Sequence, residues 1–267
     1  FFRQKMIRPK KSLGQNFLID QNVINKIVNI VNIKDKNILE IGPGTGNLTL
    51  GILKRKPKKI ILIEKDNNLV DLLQNRFDKN VKIINEDVLK INECLLDDQI
   101  LTVFGNLPYN ISTEILSKWI LNLSQNKIWF NCLVLMFQKE VADRIISKFN
   151  TKDYGRLSIL ANWRLNIKKI FDIQPSCFQP KPKIQSSVLL FEPRKNFLKF
   201  KNPKNLEKIT RTFFMHRRKM IKKPYYHLFK NDGNIASQMG INLNLRPQNL
   251  DFDTYYELTK QYECSRS

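Results

Sequence analysis

The amino-acid sequence predicts an α/β fold in which a parallel sheet is covered on both faces by helices, followed by a small all-helical domain. Three observations lead to this prediction. Short apolar runs alternate with segments of helical periodicity over the first two thirds of the chain. A glycine-rich turn directly follows the first apolar run, and after Pro193 the chain becomes strongly basic with patterns typical of short helices. We therefore place the α/β domain at residues 1–193 and the helical domain at residues 194–267.

The predicted elements follow one another in a regular order. A first helix begins after Asp20, which we predict as its N-cap because the apolar positions that follow have helical spacing. The expected strands are 37–41, 60–63, 81–84, 100–104 and 132–137, and the expected helices are 47–54, 67–77, 113–123 and 139–149. Because ligands bind at the carboxyl ends of the strands in open α/β sheets, we expect the site there.

The charge of the chain indicates a polyanionic partner. The 267 residues include 46 Lys and Arg against 24 Asp and Glu, which gives a formal net charge of +22. Nucleic acid is favoured over an acidic membrane surface, because no apolar run approaches the length of a membrane span. The four cysteines are scattered without a C-x-x-C pair and there are two histidines, so we predict no metal site and an intracellular protein with reduced cysteines.

The turn after the first strand, residues 40–46, indicates a small cofactor. Its glycine spacing differs from the G-x-G-x-x-G of dinucleotide binders, and Pro43 removes an N–H that would hold a phosphate. Glu64 ends the second strand, where a carboxylate can accept both ribose hydroxyls, and Asp87 follows the third strand, where it can accept from an adenine amine. An acid alone at such a position is more often a solvated loop residue, but acids at the ends of consecutive strands, after a glycine turn, indicate a shared site.

The segment that follows the fourth strand, residues 106–112, suits the methylation of an exocyclic amine on a nucleobase. Such a nitrogen is a poor nucleophile because its lone pair is delocalised into the ring. The side-chain oxygen of Asn106 and the carbonyl of Leu107 can accept its hydrogens, Pro108 aims that carbonyl, and Tyr109 offers a face for stacking. The alternative is an ordinary strand-to-helix turn.

Motifs spread over nearly the whole chain resemble those of the S-adenosylmethionine-dependent rRNA adenine dimethyltransferases, in the same order. The matching segments are residues 15–18, 40–46, 64, 87, 106–112, 138–142, 154–158, 178–183 and 214–219. Leu107, the 154–158 segment and the basic 217–219 segment resemble the small-subunit (KsgA-type) branch most closely. Lys181 departs from that branch, since its form is also seen in the large-subunit enzymes that confer macrolide resistance.

This resemblance implies a Rossmann-like methyltransferase domain that uses S-adenosylmethionine, without a metal, to dimethylate N6 of two adjacent adenosines in the 3′-terminal hairpin of small-subunit rRNA. The partner would be a pre-ribosomal small subunit. The protein would bind it as a monomer in the cytoplasm and not at a membrane. The implied cofactor-binding residues are Asn16, Leu18, Gly42, Gly44, Glu64, Asp87 and Asn106. The implied catalytic residues are Asn106, Leu107, Pro108, Tyr109 and Phe178. Phe178 would stack on the adenine opposite Tyr109; its alternative is a core aromatic at the start of a strand.

The last third of the sequence is predicted to bind RNA. Residues 194–230 carry 13 Lys and Arg against one acid, Glu207. The predicted RNA contacts are Arg144, Arg156, Arg217, Arg218, Lys219, Lys222 and Lys223. A solvated basic face is the alternative, in which the interleaved aromatics form the core of the small domain. A basic arm, residues 1–11, is a solvated tail, or it reaches an RNA backbone or closes over a ligand.

Three other functions were weighed against small-subunit dimethylation. The first is a large-subunit adenine N6-methyltransferase of the macrolide-resistance type. The second is a non-catalytic RNA-binding factor for ribosome assembly or transcription, which the intact 106–109 segment and both acids disfavour. The third, a nicotinamide-dependent reductase, is disfavoured by the glycine spacing.

Overall fold

The structure, a computed structural model, describes residues 14–123 and 128–266. The basic arm, predicted to be a tail, an RNA contact or a segment that closes over a ligand, therefore lies outside the described residues. The chain divides into two compact units. The first comprises the described residues of Phe1–Lys118, Asn126–Ala142 and Lys168–Pro193, and the second those of Trp119–Gln125, Asp143–Ile167 and Arg194–Ser267.

A seven-stranded sheet forms the centre of the first unit. Its strands are β2 (Asn37–Ile41), β3 (Lys59–Glu64), β4 (Val81–Asn85), β5 (Leu101–Asn106), β6 (Phe130–Gln138), β7 (Leu165–Ile173) and β9 (Ser186–Pro193). They lie in the order β4-β3-β2-β5-β6-β9-β7. A separate antiparallel pair joins β1 (Phe17–Leu18) to β8 (Phe178–Gln179).

The strand order creates a switch point between β2 and β5. The chain proceeds from β2 outward to β3 and β4, then returns to pair β5 with the other edge of β2. These strands are parallel, with Ile41 beside Ile63 on one side and beside Gly105 on the other. The loops after β2 and β5 thus diverge above the sheet, which is where ligands bind in this class of fold.

Helices connect the parallel strands. They are α1 (Gln21–Val28), α2 (Asn47–Leu53), α3 (Asn67–Arg76), α4 (Ser112–Asn122) and α5 (Lys139–Ile146). The predicted N-cap of α1 is confirmed, since the Asp20 carboxylate accepts a hydrogen bond from the Val23 amide at 2.9 Å. Strand β2 is buried along its whole length, as expected for a central parallel strand with helices on both faces.

Two strands of the sheet were not predicted. β9 pairs antiparallel with β6, and β7 lies beyond it at the edge of the sheet. The sequence of β7 was missed because Lys168 and Lys169 interrupt its apolar pattern, and one face of an edge strand needs no apolar residues. The sheet is therefore mainly, and not wholly, parallel.

Helix boundaries differ from the prediction by up to three residues. The largest difference is at α5, which ends at Ile146 and not at residue 149. The Ser147 hydroxyl donates to the carbonyl of Arg144 at 2.7 Å, and Asn150 has a left-handed backbone with φ of 65°. Both features end a helix, because they replace its regular hydrogen bonds.

The second unit is mainly helical. It contains α6 (Arg156–Arg164), α7 (Lys204–Phe214), α8 (Lys222–Leu228), α9 (Asn234–Gln238) and α10 (Phe252–Cys264). Aromatic side chains make its core: Tyr225 stacks on Phe229 at 4.7 Å, and Phe213 contacts Tyr255 edge-on at 5.8 Å. Phe213 and Tyr225 are therefore core residues, as the alternative interpretation proposed. Across the described ranges, no helix has the length and apolar character needed to cross a membrane.

Candidate active site

A cavity of about 320 Å³ lies in the first unit at the carboxyl ends of β2, β3, β4 and β5. Five segments supply most of its lining, namely residues 14–18, 40–45, 63–65, 86–89 and 106–111. The volume is in the range of small-molecule sites. Each of these segments includes residues that were predicted from the sequence to bind the cofactor or the target base. They come together because a parallel sheet places the carboxyl ends of its strands on the same side.

The turn between β2 and α2 requires glycine. Gly42 and Gly44 both have left-handed backbones, with φ of 64° and 58°. A Cβ atom on Gly44 would lie 2.7 Å from Cδ1 of Phe17, which is on the opposite wall of the cavity. The turn can therefore approach residues 14–18 only if it carries no side chain at this position.

Glu64 ends β3 and points its carboxylate into the cavity region. One oxygen accepts from the Asp66 amide at 2.9 Å and the other from the Gly44 amide at 3.3 Å. Burial raises the pKa of Glu64 above its ordinary value, since its side chain is largely withdrawn from water. The backbone amides of Asp66, Gly44 and Lys65 partly oppose this rise by donating to the carboxylate. A carboxylate has about four acceptor positions, so Glu64 keeps the capacity to accept from a further donor.

Asp87 follows β4 on the same edge. Its carboxylate accepts from Lys65 Nζ at 2.8 Å and from the Leu89 amide at 3.0 Å. The hydrogen bond from Lys65 is the main cause that lowers the pKa of Asp87. Asp87 is thus an ionised acceptor at neutral pH, beside the Val88 and Leu89 side of the cavity.

Glu40 is a second buried carboxyl group on the cavity wall. Its role was not predicted from the sequence, although an acid within the apolar strand β2 is a visible signal. It is 1% exposed, and Thr49 donates to its Oε2 at 2.7 Å. Burial raises its pKa to about 8 from an ordinary value of 4.5, an effect to which the nearby Glu64 adds.

Asn106 lies at the end of β5, where the structure joins it to the segment before β1. Its amide nitrogen donates to the carbonyl of Asn16 at 2.7 Å. Because the nitrogen is engaged as a donor, the oxygen of the same amide is the atom left to accept from a substrate amine. The Leu18 carbonyl in turn accepts from Asn47 at 3.0 Å, so this segment is fixed at both ends as one wall of the cavity.

The remaining catalytic candidates occupy two different environments. Leu107, Pro108 and Tyr109 line the cavity. Phe178 is not among the lining residues: its side chain is 2% exposed and belongs to the hydrophobic core beneath β1 and β8, where it is paired with Leu18. The stacking role of Phe178 opposite Tyr109 therefore stays a prediction.

The predicted RNA contacts fall into three groups. Arg218, Lys219, Lys222 and Lys223 line a groove of the second unit together with Arg246, which the sequence analysis missed because it is distant in the chain. Arg217 is turned elsewhere, and its guanidinium donates to the carbonyls of Lys152 at 2.7 Å and Tyr154 at 3.1 Å. Arg144 is exposed and Arg156 half-buried, and neither lines this groove.

The absence of a metal stays a prediction. In the parts of the chain that the structure describes, no group of three or more His, Cys, Asp or Glu side chains is placed to hold a metal ion.

Comparison with known proteins gives consistent results over almost the whole chain. The family model described as ribosomal RNA adenine dimethylase matches residues 6–263. A protein of Pelagibacter ubique named ribosomal RNA small subunit methyltransferase A is 63% identical over 97% of this chain and 99% of its own length. A Wolbachia protein of the same name is 40% identical over 97% and 95% of the two chains. Among solved structures, a dimethyladenosine transferase from Plasmodium falciparum is 25% identical with a TM-score of 0.78, covering 94% of this chain and 98% of its own.

Proposed function

The chain belongs to the ribosomal RNA adenine dimethylase family, and we propose that it dimethylates N6 of two adjacent adenosines in the 3′-terminal hairpin of small-subunit rRNA. The observation that carries this proposal is that Asn106, Glu64 at the end of β3 and Asp87 after β4 all line one cavity at the switch point. The small-subunit names of relatives that match over nearly their full length support this choice of substrate over the large subunit. Lys181, which is also found in the resistance enzymes, is a single position and carries less weight.

The residues of the cavity fit S-adenosylmethionine. The Glu64 carboxylate keeps acceptor capacity beyond its backbone donors, which suits a ribose hydroxyl. Asp87 is an ionised acceptor beside apolar Val88 and Leu89, which suits an adenine ring and its amine. Gly42 and Gly44 add no side chain to the turn, so a cofactor can approach its backbone there. Pro43 has no N–H to hold a pyrophosphate. Asn16 and Leu18 close the site from the opposite wall.

When bound, S-adenosylmethionine supplies a methyl group made electrophilic by its sulfonium charge. The protein's part is to position the amine that attacks it. The Asn106 side-chain oxygen and the Leu107 carbonyl accept hydrogen bonds from the adenine N6 hydrogens, Pro108 restricts the backbone that aims this carbonyl, and Tyr109 supports the base by stacking. Both acceptors gain strength as positive charge develops on N6, and the proton leaves to solvent.

The target adenosines must leave their RNA helix to reach this cavity, which costs a few kcal/mol per base. The groove lined by Arg218, Lys219, Lys222, Lys223 and Arg246 offsets this cost through contacts with RNA phosphates. None of these five side chains forms an ion pair with another described residue, so their charges remain available to phosphate. We expect a monomer that acts in the cytoplasm on a pre-ribosomal small subunit, without a metal.

The test is the transfer of labelled methyl groups from S-adenosylmethionine to small and to large ribosomal subunits that lack the modification. We expect label in small-subunit rRNA as dimethyladenosine, and loss of most of it with Asn106→Ala. Asn131→Ala is the matched control, because Asn131 is an asparagine of the same sheet that accepts from Thr102 at 2.9 Å outside the cavity. Label only in the large subunit would favour the resistance type. Tight binding without any transfer would favour a non-catalytic assembly factor.

A further inference from the structure

Tyr109 is held by a residue that no sequence motif connected to it. The hydroxyl groups of Tyr109 and Ser186 are 2.6 Å apart, across 77 positions of sequence. Ser186 is fully buried and begins β9, where it is paired with Gln138 of β6. One end of the tyrosine therefore faces the cavity, and its other end is tied to the central sheet.

This hydrogen bond limits the movement of the ring. Tyr109 lies in the loop between β5 and α4, where a side chain can swing about its Cα–Cβ bond unless its tip is held. The phenol oxygen lies on the long axis of the ring, so a hydrogen bond at this atom fixes the direction in which that axis points. Ser186 belongs to a strand of the seven-stranded sheet, which gives the contact a rigid anchor.

We propose that Ser186 is a positioning residue for methyl transfer, whose hydroxyl fixes the direction and position of the Tyr109 ring on which the target adenine stacks. The inference rests on the proposed function, since it concerns the same cavity. A base that stacks on a fixed ring presents its N6 at one distance and angle to the Asn106 and Leu107 acceptors. The gain is one of orientation, so it appears in the rate of the chemical step and not in the affinity for the cofactor.

The neighbouring Ser187 offers a matched control. It is also fully buried, and its hydroxyl donates to the Asp172 carboxylate at 2.6 Å. Successive side chains of a strand point to opposite faces, so Ser187 faces away from Tyr109. Loss of the Ser187 hydroxyl removes a hydrogen bond to a charged group, which destabilises the fold at least as much as loss of the Ser186 hydroxyl does.

The experiment compares four proteins: Ser186→Ala, Tyr109→Phe, the double variant and Ser187→Ala. Steady-state methyl transfer to small subunits gives kcat and the KM for S-adenosylmethionine. We expect Ser186→Ala to lower kcat about tenfold with little change in that KM. Tyr109→Phe keeps the ring but loses the hydroxyl, so it should lower kcat by a similar factor, and the double variant should lose no more than either single variant.

The outcomes separate the two claims. Wild-type kcat in Ser186→Ala, independent losses that multiply in the double variant, or an equal loss in Ser187→Ala would each overturn the positioning role. In the last case the effect would belong to the stability of β9. Absence of methyl transfer by the unsubstituted protein would refute the proposed function, and the positioning role with it.

Discussion

Lys118 of α4 ties down the segment that follows Asp87, and its removal should loosen that side of the cavity. Its ammonium donates to the Val88 carbonyl at 2.8 Å, to the Ile91 carbonyl, and to the Glu93 carboxylate at 2.6 Å. The three donors of one lysine are thus matched by three acceptors. Since Val88 lines the cavity, this cation connects α4, the helix that follows Asn106 to Ile111, to the side where we place the cofactor adenine.

The magnitude follows from burial. The Lys118 side chain is 18% exposed and that of Glu93 is 3% exposed, so both lie in a region that solvent screens poorly. Removing one partner of a fully buried pair costs about 3 to 5 kcal/mol. Because Lys118 retains some exposure, we expect Lys118→Met to lower the free energy of unfolding by about 2 to 3 kcal/mol. Methionine keeps the apolar stem, so the loss reports the ammonium group.

Urea unfolding followed by circular dichroism measures this change, which should lower the midpoint without a change in slope. Lys59→Met is the matched control. Lys59 pairs with Asp97 at 2.6 Å, but its side chain is 42% exposed. It is the first residue of β3, so it lies at the amino end of that strand, whereas the cavity lies at the carboxyl end. Such a pair contributes at most about 1 kcal/mol. Equal destabilisation by the two variants would refute the reasoning from burial.

Three further predictions concern the cavity and the basic groove. Gly44→Ala should abolish binding of S-adenosylmethionine in calorimetry, whereas Gly240→Ala, which has the same backbone strain but nothing within 4 Å of the added Cβ, should leave it unchanged. Burial raises the pKa of Glu40 to about 8, so its contribution to stability is lost as pH rises from its ordinary value of 4.5 through about 8. The urea midpoint of Glu40→Gln should accordingly fall less than that of the wild type between about pH 6 and pH 9. Lys222→Ala combined with Lys223→Ala should weaken binding to small subunits and reduce the slope of log K against log salt by up to about 1.8, while an unchanged slope would exclude phosphate contacts by these lysines.

The agreement between sequence and structure is best where the signal is local. The parallel strands, the N-cap at Asp20 and the turn glycines were predicted because side-chain periodicity, a capping residue and a left-handed backbone each depend on a few neighbouring positions. The same locality explains the misses. Strand β7 was missed because it lacks a continuous apolar pattern. For Phe178, only the structure showed that the side chain belongs to the hydrophobic core.

The domain division shows a related difference. The boundary predicted from the sequence lies after Pro193, where the composition changes. In the structure the compact unit that contains residues 194–266 also includes described residues of two earlier segments. Composition marks where the basic residues begin, but membership of a compact unit depends on packing partners, and those of α6 include α7 and α10.

The sequence by itself determined the class of fold, the edge of the sheet at which the site lies, and the acids and amide that reach this edge. It could do so because a parallel sheet places the ends of its strands together by topology alone. Tertiary structure decided which of these side chains are fixed and by what: Ser186 on Tyr109, Lys118 on the segment after Asp87, and the backbone carbonyls that engage Arg217. These contacts join residues far apart in the chain, and their distances depend on how helices and strands pack, which no local pattern specifies.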